Sequence, residues 1–238
     1  MTRRITTASA LLLLGALALS GCASTPGASS SPTPTAPATG EEIEVDAAWL
    51  DGGSMIGLVT QGSSTCVPAA GEVTLEADGT LSVVLEEVDP GRPCTRDYVS
   101  RVTLVGLPEG VDPTKELEIR VTGAGLHGDT DLDGVPALAH AEVPEYSPTA
   151  GWVDDDEIVV LTWGSSSCAP VVADVKVTDP AGVTVTFVDP PADQICTADM
   201  APRAVVVHAP GLDDDLDVAL TLAGGGAEFA TPVTIPVF

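Results

Sequence analysis

Three groups of residues in this 238-residue chain have types and spacings that suit chemistry. The first is Asp129-Thr130-Asp131-Leu132-Asp133-Gly134, in the D-x-D-x-D-G order of calcium loops. In such loops alternate carboxylates converge on one hard cation, and the glycine permits the sharp turn. The twelfth position, where a bidentate glutamate belongs, is His140, and Glu142 comes two residues late. A plain acidic hairpin turn therefore competes with a calcium site at Asp129, Asp131 and Asp133. The second group is Gly164-Ser165-Ser166-Ser167-Cys168, a serine-rich turn that invites a nucleophile. It lacks the second glycine of the G-x-S-x-G elbow and leads into no helical pattern. The third group is the cysteines, five in all.

Two of these groups belong to a duplication. Gly62-Ser63-Ser64-Thr65-Cys66-Val67-Pro68 returns 102 residues later as Gly164-Ser165-Ser166-Ser167-Cys168-Ala169-Pro170. Cys94-Thr95-Arg96-Asp97 returns at the same offset as Cys196-Thr197-Ala198-Asp199. Self-similarity held over such a span means two copies of one structural unit. The duplication contains four of the five cysteines and chooses among the three pairings that these four allow. If each copy folds alone, the disulfides are Cys66–Cys94 and Cys168–Cys196. A four-cysteine metal site needs paired short spacings, and none occurs. Both copies continue C-T-x-D-x-x-x-R, so Asp97 precedes Arg101 as Asp199 precedes Arg203. The aspartates are expected to cap the turn and to pair with the nearby arginines. A catalytic triad is not common to the copies, because His208 has Gly106 as its counterpart. Trp163, standing where the first copy has Gln61, is another unshared residue, as is the Asp129–Asp133 stretch.

The elements that must position these residues read as strands. Val183-Thr184-Val185-Thr186-Phe187 and Asp174-Val175-Lys176-Val177-Thr178 alternate with period two, as does Leu81 to Leu85 in the first copy. Asp-Pro, Pro-Gly and Ala-Gly turns break the runs at short intervals, the pattern of antiparallel strands. No sustained helical period occurs after residue 40. The expected fold is all-β: two tandem small antiparallel β-sandwich units of immunoglobulin-like type, each with one disulfide. The units are residues 41–148 and 149–238.

The N-terminus speaks to location. Arg3 and Arg4 precede an apolar run from about Ala8 to Leu19, with the proportions of a signal peptide over residues 1–21. Its end, Leu19-Ser20-Gly21-Cys22, resembles the lipobox of bacterial lipoproteins. That resemblance implies that Cys22 is diacylated, becomes the first mature residue, and anchors the protein to the membrane on its extracytoplasmic face. The Arg3-Arg4 pair lacks the rest of the twin-arginine pattern, so general export is the expected route. Residues 22–40, rich in Ser, Thr, Pro and Ala, have nothing with which to build a core and are expected to form a disordered tether. Beyond residue 21 seven basic residues face 35 acidic ones, a formal charge near −28. Such a charge argues against nucleic acid and against anionic surfaces.

The two cysteine motifs together resemble those of secreted and lipid-anchored proteins of Gram-positive bacteria, a resemblance that implies no activity. The expected function is that of a non-enzymatic, lipid-anchored envelope protein acting as a binding or structural module. Its partner is an envelope protein or wall component that the residues do not name, and no cofactor is expected apart from the calcium alternative. Two rivals stand beside this reading. One is an inhibitor or accessory domain presenting the braced Ser-Ser-Cys loop to a partner. The other is a metal-dependent enzyme or calcium-binding adhesion protein using Asp129, Asp131 and Asp133.

Overall fold

Ile158-Val159-Val160-Leu161 is a run of four apolar residues, and all four are fully buried. Successive side chains of a strand point to opposite faces, so such a run belongs to a strand covered on both sides. This strand lies near the middle of the fold. The computed structural model describes residues 40–140 and 142–238; the expected signal peptide, Cys22 and nearly all of the tether lie outside them.

Among the described residues there are fifteen strands and no α-helix. In the first half these are β1 (Glu41–Glu42), β2 (Val45–Leu50), β3 (Met55–Gly62), β4 (Ala69–Leu75) and β5 (Leu81–Glu86), then β6 (Val99–Gly106), β7 (Leu117–Gly123) and β8 (Leu126–Leu132). In the second half they are β9 (Thr149–Trp152), β10 (Glu157–Gly164), β11 (Val172–Asp179) and β12 (Gly182–Phe187), then β13 (Ala201–His208), β14 (Ala219–Gly224) and β15 (Phe229–Pro236). They form four sheets, ordered β1-β8-β7-β5-β4, β2-β3-β6, β13-β10-β9 and β11-β12-β14-β15. The duplication is visible in these orders. Strands β8-β7-β5-β4 answer to β15-β14-β12-β11, and β2-β3-β6 to β9-β10-β13.

Three apolar layers separate the four sheets. The first packs Ile56 and Leu58 of β3 against Leu81, Val83, Ile119 and Val121. The last packs Ile158 and Val160 of β10 against Val183, Val185, Leu220 and Leu222. Between them lies a shared layer of Ala48, Leu50, Val59, Val159 and Leu161. Thus β3 and β10 each contribute alternate side chains to two layers. Gly151 lets β9 approach β2 closely, since a Cβ there would collide with the Trp49 backbone. Residues Ala38–Phe238 accordingly group into one compact unit.

These observations overturn two tandem immunoglobulin-like sandwiches. The sheets follow one another as a β-solenoid of about four turns. Neither half is a purely antiparallel sandwich, because β5 pairs with β7 in parallel and β12 with β14 in parallel. A parallel pair requires the chain to leave the sheet and return; β6 and β13 make those excursions. The shared middle layer also removes the independence that tandem domains would have.

The acidic stretch differs from expectation as well. Asp129 and Asp131 lie within strand β8, and Asp133 follows its end, so the stretch is largely strand and not the expected hairpin turn. Gly128 and Leu132 are buried while Asp129, Asp131 and Asp133 point to solvent. Residues two apart on a strand stand about 7 Å apart, which spreads the carboxylates along the strand and away from a common point. Among the described residues no group of three or more His, Cys, Asp or Glu side chains is arranged to hold a metal ion.

Candidate functional site

Both expected disulfides are present, Cys66–Cys94 and Cys168–Cys196, each with a Cα–Cα distance of 5.6 Å. Each ties the loop after a central strand to the loop before β6 or β13. Around each bridge the same hydroxyl cluster forms. Ser63 Oγ lies 2.8 Å from Thr95 Oγ1, and Ser165 Oγ lies 2.8 Å from Thr197 Oγ1. The Thr95 amide donates to Thr65 Oγ1 at 3.1 Å, and the Thr197 amide to Ser167 Oγ at 3.0 Å. The serines therefore satisfy backbone and hydroxyl groups within the loop, the usual work of such residues in turns. His208 stands at the far end of the β10–β13 ladder, paired with Glu157, while Ser165 follows the end paired with Ala201. By strand rise that separation is about 23 Å, so His208 is not a base for these serines.

Asp97 and Asp199 cap the turns as expected. Asp97 Oδ1 accepts from the Ser64 amide at 3.4 Å and from the Thr95 hydroxyl. Asp199 Oδ1 accepts from the Ser166 amide at 3.2 Å and from the Thr197 hydroxyl. Pairing with the arginines does not occur. Arg101 donates to the Cys66 carbonyl at 2.6 Å and the Ser63 carbonyl at 3.3 Å. Arg203 donates to the Cys168 carbonyl at 2.9 Å and the Trp163 carbonyl at 3.1 Å. Each arginine sits on a strand beside the loop and lies over Gly62 or Gly164. A Cβ on these glycines would stand 2.5 and 2.7 Å from the guanidinium carbon. That close approach explains why both copies of the motif begin with glycine.

Hydrogen bonding from Ser166, then from Thr197, holds the Asp199 carboxyl down at about 2, against an ordinary value of 3.8. Ser64 and then Thr95 lower Asp97 in the same way. A depressed carboxyl stabilises the fold above its unfolded value, and that contribution disappears as pH falls through the folded value. Wild type is therefore expected to exceed an Asp199→Asn variant in urea midpoint at pH 6. The difference should shrink as the pH falls from about 4 to about 2. A difference that stays constant across that window would show that Asp199 contributes nothing through its charge.

Beside each disulfide loop lies a cleft, of about 380 Å³ in the first copy and about 430 Å³ in the second. The scaffold is shared, yet the linings differ. The first cleft is bordered by Glu87, Asp89, Arg92 and Arg101, with Leu126. The second is bordered by Trp163, Phe187 and Phe229, with Pro170, Pro190 and Pro191. Strand pairing shows how the aromatics arrive. Leu85 pairs with Gly123 in parallel as Phe187 pairs with Gly224. Gly123 then pairs with Leu126 as Gly224 pairs with Phe229. Phe187 and Phe229 thus occupy the places of Leu85 and Leu126, with ring centroids 5.5 Å apart. Trp163 occupies the place of Gln61 and meets Tyr146 edge-to-face at 5.4 Å.

The hydrogen-bonding state differs too. The turn from Gly224 to Phe229 is two residues longer than the turn from Gly123 to Leu126, and the added length supplies Glu228. Glu228 accepts from Arg203 Nη2, whereas Arg101 forms no ion pair among the described residues. In the first copy Arg101 Nε donates to Thr60 Oγ1 at 3.3 Å, and Gln61 Nε2 to Ser100 Oγ at 2.9 Å. In the second copy Arg203 Nε and Trp163 Nε1 are buried with no partner. Both belong to side chains that border the cleft. A buried donor left unpaired costs about 1–3 kcal/mol, and native proteins carry few of them. Trp163 was marked out by its difference from Gln61. Phe187, Phe229 and Glu228 were missed, because each makes sense only once the strand pairing is known.

A third cavity, of about 510 Å³, borders both halves and is lined by Asp46, Asp131, Asp133, Asp154, Asp155 and Asp214, with Trp49 and Trp152. Burial, then the charges of Asp154, Glu44 and Glu157, raises the Asp46 carboxyl. Trp49 Nε1 donates to the Asp133 carbonyl at 2.7 Å and so is satisfied within the fold. No family model matches the chain, nor does any curated protein or any solved structure.

Proposed function

We propose that this protein is a non-enzymatic binding module of the bacterial envelope, anchored by lipid at Cys22, whose ligand site is the cleft of the second repeat. One observation carries the reading. Two copies keep the same disulfide loop, glycine and arginine, while three aromatic changes between them gather around a single cavity. Three aromatic replacements, one added carboxylate and two unpaired buried donors border it. His208 and the Asp129–Asp133 stretch also differ between the copies and lie away from this cavity, but the aromatic changes collect here, as changes at a site do. The volume falls in the range of small-ligand pockets, and an apolar lining with a few polar groups is their usual composition. The rigid loop adds to this, because a braced site has little ordering entropy left to lose on binding.

The reading is tested by screening a library of small organic fragments against the chain with its tryptophan indoles labelled with nitrogen-15. Fragment hits are expected to shift the Trp163 indole resonance and to leave that of Trp49 unmoved. A library that never moves Trp163, or moves the three indoles alike, would remove the cleft as the site. Retention of a Cys22→Ser variant in the membrane fraction would refute the anchor.

A further inference from the structure

We infer that the cleft of the second repeat takes a neutral, proline-rich peptide segment in extended polyproline form. The inference rests on that cleft being the ligand site, and it adds the ligand's chemistry. Two donors at the margin of the cleft lack partners: Trp163 Nε1 and Arg203 Nε are buried and both side chains border it, so a ligand that displaces the covering side chains would satisfy them. A complementary ligand therefore brings acceptors. Arg203 is already neutralised by Glu228, in a chain whose formal charge beyond residue 21 is near −28. Carboxylate or phosphate acceptors would enter against that field, so the acceptor is a neutral carbonyl.

The walls narrow the choice further. Trp163 and three prolines form the accessible apolar wall, backed by the buried rings of Phe187 and Phe229, a surface suited to flat or cyclic groups. The body of the ligand must then be apolar and ring-shaped, with few donors of its own to leave unpaired. A prolyl residue meets these demands together. It has a carbonyl, an apolar ring and no backbone N–H. Polyproline helices also arrive already ordered, and aromatic-lined grooves are a recurring way of binding them. The first cleft has neither aromatic side chains nor unpaired donors, so only the second is equipped for this ligand.

The probe is N-acetylated hexaproline amide, titrated into the full chain in mild detergent. The expected result is a saturable shift of the Trp163 indole resonance while Trp49 stays in place. Calorimetry on Trp163→Phe, which keeps a ring but removes the N–H, is expected to show binding roughly tenfold weaker. Unchanged Trp49 and Trp152 resonances report that this variant is folded; if it is not, the wild-type titration alone decides. Absence of any saturable Trp163 shift overturns the inference, as does equal affinity in a folded Trp163→Phe. A Trp163 response to chitotriose without one to hexaproline also overturns it, while leaving the cleft as the site. Failure of the fragment screen together with hexaproline removes the cleft altogether.

Discussion

Replacing Cys168 and Cys196 together by alanine is expected to lower the unfolding free energy by roughly 3–4 kcal/mol. The two cysteines are 28 positions apart, and the chain between them includes all of β11 and β12. In the chain-entropy account, the bridge acts by restricting the unfolded chain, and the gain depends on loop length. Cys66 and Cys94 are also 28 apart, so the matching double variant should lose a similar amount. The two losses need not be identical, which makes the comparison informative. Once its bridge is gone, each loop is still held by its hydroxyl cluster and by an arginine on the first cysteine's carbonyl. Among the described residues only the arginine of the second copy also has a carboxylate partner. Guanidinium unfolding curves of the two variants measure both effects. Losses below about 1 kcal/mol in each would mean that the polar clusters alone constrain the loops and that the entropic account fails here. If the second cleft is the ligand site, binding should suffer only when Cys168 and Cys196 are replaced, since both cysteines border that cleft.

The parts legible in the sequence were those carried by spacing. The 102-residue offset led directly to both disulfides, and the alternation at Leu81–Leu85 and Val183–Phe187 lies within real strands, β5 and β12. Sheet assembly was not legible, because alternation reports a strand's faces and says nothing of its neighbours. A signal for stacked sheets did exist in Ile158-Val159-Val160-Leu161, since a run without alternation demands cover on both faces. Strand β8 is illegible in the sequence for the opposite reason. Its inward positions include Gly128 and Thr130, too weakly apolar to be noticed, while its outward aspartates mimic a calcium motif. Asp97 and Arg101 are close in sequence, which suggests an ion pair that the fold does not form. The turn separates them, and the cysteine carbonyls are the nearer acceptors. Glu228 and the two phenylalanines lie beyond any linear comparison. Their roles follow from the register of β12, β14 and β15.

Leu161→Ala is the second substitution with a large expected cost, roughly 3–4 kcal/mol. Leu161 is fully buried and belongs to the layer shared by the two halves, together with Leu50 and Val59 of the first. Removing its branched end leaves a cavity between β-sheets that pack face to face, and such sheets collapse poorly onto a lost side chain. The position of the loss is more telling than its size. Leu220→Ala, within the last layer, should cost a comparable amount but act first on the second half. Leu161→Ala should instead lower amide-exchange protection in β3 and β10 together, because both strands lean on the same layer. Unfolding should stay a single cooperative transition. If protection in β3 is untouched while β10 opens, the halves are energetically separate, and the middle layer is contact without coupling. If both fall together, the duplication has produced one folding unit from two copies. The second cleft could then diverge on a scaffold whose stability the first copy helps to maintain.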